Sequence, residues 1–327
     1  MKFSFFILFE LLCFFMDCQE LYPLNEPASN VPKGAIGVRV FNQSYLEGNT
    51  VRSLDALRIM YGVLPRLTVM ATISTSNHHG TDFPSNLATH THTGNQTVFS
   101  TGSYKVGIPY PYLFNGISMY AKYRFISSDG QNSHFRMTAY GAYSYLNVAH
   151  DEAEPNLLDD TKGYGGGLIT TYLKNRFALS LTSGVIIPQQ HTGSIPDPYG
   201  TGLIPTELKY GRAVEYNLSF GYLLFPRKYT DYKQTNWNLY MEFMGKSYQQ
   251  AQIIQYGVKD VPISTPLLQK GNYVDACPGI QAIIQSNLRI DFSVKLPMIN
   301  KSYAHFYPVY VLGIQRYFFP GVKKSKS

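Results

Sequence analysis

Apolar and polar residues alternate one by one along many stretches of this chain. From Leu288 to Leu296 one set is Leu288, Ile290, Phe292, Val294 and Leu296, and between them lie Arg289, Asp291, Ser293 and Lys295. Period-two alternation puts successive side chains on opposite faces of an extended strand. Leu67, Val69, Ala71 and Ile73 likewise oppose Thr68, Met70, Thr72 and Ser74. Val214, Tyr216, Leu218, Phe220, Tyr222 and Leu224 oppose Ala213, Glu215, Asn217, Ser219 and Gly221, and Trp237, Leu239, Met241 and Phe243 oppose Asn238, Tyr240, Glu242 and Lys246.

Runs of this kind predict strands over 35–42, 52–61, 66–74, 115–126, 134–146, 163–173, 176–187, 211–225, 236–246, 272–284, 288–297 and 306–319. Short links fall at 62–65, 127–133, 174–175, 226–235 and 285–287, and most of the others are long: 75–114, 147–162, 188–210 and 247–271. An even number of strands, short turns on one side and long loops on the other predict an all-β fold: a transmembrane antiparallel up-and-down β-barrel of about 12 strands, long loops outward. A soluble β-sandwich also has short alternating strands. It does not readily explain long strands whose exposed face carries so many rings.

Composition agrees with a wall between lipid and water. Charged residues are 15% of the chain, against about a quarter in ordinary domains, and aromatics are also 15%, with 27 Tyr and 20 Phe. Beyond the N-terminus no run approaches the roughly 18 apolar residues of a membrane helix. Residues 1–18 read as a signal peptide, with Lys2 ahead of an apolar stretch from Phe3 to Met16; acylation of Cys18 as a lipoprotein is the competing reading. Residues 19–34 are expected to be a periplasmic N-terminal segment, 35–319 the barrel, and 320–327 a periplasmic basic tail with Lys323, Lys324 and Lys326. Cleavage after 18 removes Cys13 and Cys18 and leaves Cys277 without an internal partner. The net charge of +7 is dispersed along the chain, so nucleic acid is not an expected partner.

Three segments carry a family resemblance: Tyr61-Gly62-Val63-Leu64-Pro65-Arg66-Leu67, NWNLYMEFMG at 236–245 and PGIQAIIQSNLRIDFSVKLPM at 278–298. They resemble the outer-membrane transporter family associated with a phenol-degradation (MetA) pathway, itself related to long-chain fatty-acid transporter barrels. The final run, VYVLGIQRYFF at 309–319, is similar to the aromatic-ended last strand that barrel-assembly machinery recognises. The resemblance implies a Gram-negative outer-membrane location and passage of hydrophobic or aromatic small molecules.

Alternation assigns to the lumen Arg39, Arg58, Lys122, Arg124, Arg136, Lys246, Arg289, Lys295 and Arg316, against Glu215, Glu242 and Asp291. Such an excess of bases would focus a field that favours anionic solutes; alternatively the charges pair and plug the lumen. His78, His79, His90 and His92 share one long loop with Asp82, a set that could capture zinc or copper at the surface or be an ordinary polar loop. No resident cofactor is expected. No catalytic constellation emerges either: a lipid hydrolase needs Ser and His together near the outer leaflet. His305 with Ser302 sits at the outer end, and His134 with Ser133 at the short-turn end. The expectation is a channel or transporter for small molecules, embedded in outer-membrane lipid; the alternative is a non-transporting subunit whose long extracellular loops bind a protein partner.

Overall fold

A computed structural model of the protein describes residues 22–78, 111–146, 153–196, 201–228, 231, 233–256, 258–261, 268–302 and 307–320. The predicted signal peptide and residues 321–327 of the tail lie outside them. The first seven strands are β1 (Ile36–Glu47), β2 (Thr50–Leu64), β3 (Leu67–Ser76), β4 (Leu113–Asp129), β5 (Ser133–Leu146), β6 (Gly163–Lys174) and β7 (Phe177–Pro188). They are followed by β8 (His191–Pro196), β9 (Leu203–Lys209), β10 (Ala213–Phe225), β11 (Asn236–Tyr248), β12 (Gln252–Gln255) and β13 (Val258–Val261). The last three are β14 (Gly271–Ile284), β15 (Leu288–Lys301) and β16 (Val309–Phe318).

Twelve of these form a closed antiparallel barrel, in the order β1-β16-β15-β14-β11-β10-β7-β6-β5-β4-β3-β2. The ring is sealed where β1 meets β16, from Ile36 opposite Phe318 to Ser44 opposite Tyr310, so the wall has no free edge. Each of the twelve runs read from alternation corresponds to one barrel strand. Tight links close one end; Asn175, between β6 and β7, takes the left-handed conformation (φ 55°) that such a turn requires.

Residues turned outward are large and apolar: Val40, Ile59, Ile73, Leu181, Leu239, Phe292 and Ile314 are all exposed. Burial cannot explain them in water, whereas a hydrocarbon surround does. The belt is bordered by rings. Tyr61, Tyr172, Phe177, Tyr222, Trp237 and Phe318 face outward near the short-turn end, and Phe114, Tyr145, Tyr164 and Tyr310 near the other. Two such girdles mark the interfaces of a membrane-spanning barrel.

Stretches 188–210 and 247–271, expected as loops, contain a second sheet of four strands, ordered β13-β12-β9-β8. Its strands are short and β8 and β9 contain prolines, so alternation could not register them. Pairing of β9 with β12, from Lys209 opposite Gln252 to Thr206 opposite Gln255, fastens the two long connections together. Beneath lies an apolar cluster of Ile186, Leu208, Tyr210, Ala251, Ile253 and Leu268.

Candidate functional site

The lumen is occupied from both ends. Residues 22–34, the described part of the N-terminal segment expected over 19–34, cross the barrel interior near the short-turn end. Prolines 23, 27 and 32 deny this segment strand hydrogen bonds and favour an extended, unpaired backbone. Its polar groups are satisfied by the wall. Glu242 on β11, fully buried, accepts from the backbone N–H groups of Leu24 (3.0 Å) and Asn25 (3.1 Å), from Asn25 Nδ2 (2.8 Å) and from the Ser219 hydroxyl (3.0 Å). Thr171 Oγ1 accepts from Ala28 N (2.9 Å), and Thr138 donates to the Ala28 carbonyl (2.7 Å). Thr68 Oγ1 accepts from Val31 N (2.9 Å) and Asn30 Nδ2 (3.1 Å). Just ahead of β1 the segment is fastened to β2, Gly34 N donating to the Gly62 carbonyl (2.8 Å), where a Cβ on Gly62 would run into the carbonyl of Pro32.

From the long-loop end, residues 153–161 fold inward. This insert is a compact turn in which the Asn156 carbonyl accepts from the N–H groups of Asp159, Asp160 and Thr161. Ser74 donates to the Leu158 carbonyl (2.8 Å) and Ser118 to that of Leu157 (2.5 Å). Lys246 binds Glu154 (2.8 Å) and the Pro155 carbonyl (2.7 Å); Tyr273 also donates to Glu154 (2.7 Å). Nδ1 of His78 lies 2.7 Å from Asp159 Oδ2.

Of the assigned lumen residues, Arg39, Lys122, Glu242, Lys246, Arg289 and Asp291 are buried inside the barrel. Arg39 pairs with Asp291 at 2.8 Å and donates to the Pro23 carbonyl at 2.6 Å. Arg58 and Lys122 converge on Glu26, at 2.8 and 3.0 Å. Lys295 donates to Gln43 (2.7 Å), and Glu215 accepts from the Tyr140 hydroxyl. Arg124 and Arg136 lie at the short-turn rim, beside the Pro65 carbonyl (3.2 Å) and Asp129 (3.5 Å) respectively.

Arg316 is the correction among them: it faces outward. On β16 the buried positions are Val311, Gly313, Gln315 and Tyr317, so Arg316 falls on the lipid face. Close to the short-turn interface its guanidinium lies 5.4 Å from the Phe318 ring centre, where a long stem can carry the charge to water.

The excess of bases expected from the wall is thus met by its contents. Glu26 and Glu154, the partners of Arg58, Lys122 and Lys246, sit on the two inserts, in stretches without alternation.

Between the inserts the described residues leave a cavity of about 420 Å³. Tyr45, Tyr120, Tyr140, Tyr273 and Tyr307 contribute rings to it, with Met70 and Met244. Burial and the nearby Glu47 carboxylate push the Tyr307 phenol above its usual range, so it stays neutral. Of the proposed metal ligands, His78 is held by Asp159 and lies tilted against the Tyr45 ring, while His79, His90 and His92 lie outside the described residues, as does His305. No group of three or more potential ligands occurs among the described residues.

No family model matches the chain. No curated protein matches it either. Among solved structures it is similar to an outer-membrane channel from Pseudomonas putida F1, at 12% identity over 91% of this chain and 100% of that one, with a TM-score of 0.52. That likeness is one of fold. The beta domain of the Bordetella autotransporter BrkA (11% identity, 88% of this chain and 100% of that one, TM-score 0.38) and LpxR from Salmonella typhimurium (8%, 87% and 100%, TM-score 0.36) align less well, and nothing below rests on them.

Proposed function

We propose that this protein is an outer-membrane channel or transporter for small molecules, not an enzyme, and that the two inserts close its path at rest. The observation that carries this reading is a chamber of about 420 Å³ inside a lipid-facing barrel, bounded by chain segments and not by filled core. A barrel built only as an anchor has no need of such a space. The tyrosines and methionines around it favour the hydrophobic or aromatic solutes implied by the family resemblance. An anionic solute is less well served, because the bases that would attract it are bonded to Glu26, Glu154, Asp291 and Gln43. The two aromatic girdles support a location in the outer membrane, and the aromatic end of β16 supports assembly by barrel-inserting machinery.

Planar-bilayer recording tests this. Deleting residues 22–32 in a Lys246→Met background, which unfastens both inserts, is expected to convert small or rare currents into stable, severalfold larger single-channel currents, with the barrel still shifting its gel position on heating. A deletion variant that stays silent would refute the channel. The four-stranded sheet, which exposes Leu203 and Tyr256 beyond the barrel, favours a second reading: a surface subunit that binds a protein partner. Silence of the deleted form together with a copurifying partner would support that instead.

A further inference from the structure

The chamber has a charge character opposite to that of the wall. Six carboxylates line it: Glu26, Glu154, Asp159, Asp160, Glu215 and Asp275. Three bases line it, Arg58, Lys246 and Lys295, and each is engaged by a neighbour within 2.8 Å. Glu215 stands apart. In the register of β10 and β11 it lies directly opposite Lys246, the natural cross-strand partner, yet the Lys246 ammonium is drawn away to Glu154 and Pro155 on the inward-folded loop. Among the described residues no base forms an ion pair with Glu215; its carboxylate takes a hydrogen bond from Tyr140 and is only half buried.

Around this carboxylate the rings are ordered. Tyr140 stacks on Tyr120, centroids 5.2 Å apart and planes 16° from parallel, and its hydroxyl passes over Gly184 to reach Glu215. A side chain on Gly184 would block that path. On the β1 side Tyr45 stacks on Tyr307 at 5.7 Å. Ring faces carry negative quadrupole potential, and a carboxylate among them in a water-poor space attracts a cation whose body is apolar.

We propose that the chamber is a binding site for a small organic cation, an amine or quaternary ammonium on an aliphatic or aromatic body, with its charge at Glu215 and its body against the tyrosines. Its use as a station on a transport path rests on the channel reading above, whereas the binding itself does not.

Calorimetric titration of the full-length protein in detergent, with benzyltrimethylammonium, benzyl alcohol and benzoate as probes, tests this directly. The cation is expected to bind at least about tenfold more tightly than either counterpart. Glu215→Gln is expected to weaken it by about tenfold, while Tyr140→Phe, which keeps the ring, retains most of the affinity. Equal affinities for the three probes, or a Glu215→Gln variant that binds the cation as well as the parent, would overturn the site; if that variant does not fold, the ranking of probes on the parent decides. Cation binding by the parent without flux through the variant in which both inserts are unfastened would overturn the channel and leave the site standing. Flux with no cation preference would do the reverse.

Discussion

The two inserts close the same lumen by different means. The N-terminal segment has little structure of its own; its backbone and asparagines reach β3, β5, β6, β10 and β11 for partners, and its Glu26 pairs with Arg58 and Lys122. The 153–161 loop carries its own turn and is docked by ion pairs and hydroxyls, Lys246 with Glu154 foremost. A segment with few hydrogen bonds of its own, Ala35 N to the Pro32 carbonyl among them, depends on the acceptors the wall offers, because each one lost strands a donor in a buried place. A self-folded turn can leave as a unit and needs only its few side-chain ties cut. The difference predicts that the two closures fail independently.

Thiol labelling separates them, with Ser29→Cys reporting the lower insert, Leu157→Cys the upper, and wholly buried native Cys277 reporting opening of the barrel itself. The largest effect is expected from Glu242→Leu, which removes one acceptor serving four hydrogen bonds. About 4 kcal/mol is lost, or a roughly thousandfold rise in labelling at position 29 with none at 157. Lys246→Met leaves Glu154 without its cation and is expected to cost about 3 kcal/mol, read as faster labelling at position 157 alone. Thr171→Val, which takes one acceptor from Ala28, should cost about 1 kcal/mol and raise labelling at position 29 modestly. Were Lys246→Met to speed both sites alike, the inserts would be one coupled body and the contrast would fail.

How much of this was legible in the sequence depends on the periodicity each part obeys. Every barrel strand announced itself because lipid on one side and a polar interior on the other force strict alternation, as from Leu288 to Leu296. Arg316 misled because a long cationic side chain is tolerated on the lipid face near an interface, where alternation no longer separates in from out. The inserts were invisible for another reason. Glu26, Glu154 and Asp159 lie in irregular stretches, and no local pattern tells which loop folds inward. Prolines 23, 27 and 32 beside Asn25 and Asn30 were the available sign that residues 22–35 avoid the sheet yet carry groups that must be satisfied somewhere. Four of the chamber's six carboxylates, Glu26, Glu154, Asp159 and Asp160, were hidden with them, while Glu215 on the wall was legible from alternation.

The N-terminal segment lies across the barrel like a strap, from Glu242 and Tyr240 on β11 to Gly62 near the tight turn that ends β2. Tension on the segment from its Tyr22 end would peel the fastenings in sequence, Glu242 first and Thr68 late. The segment is fastened in the order in which a pull would undo it, like a ripcord.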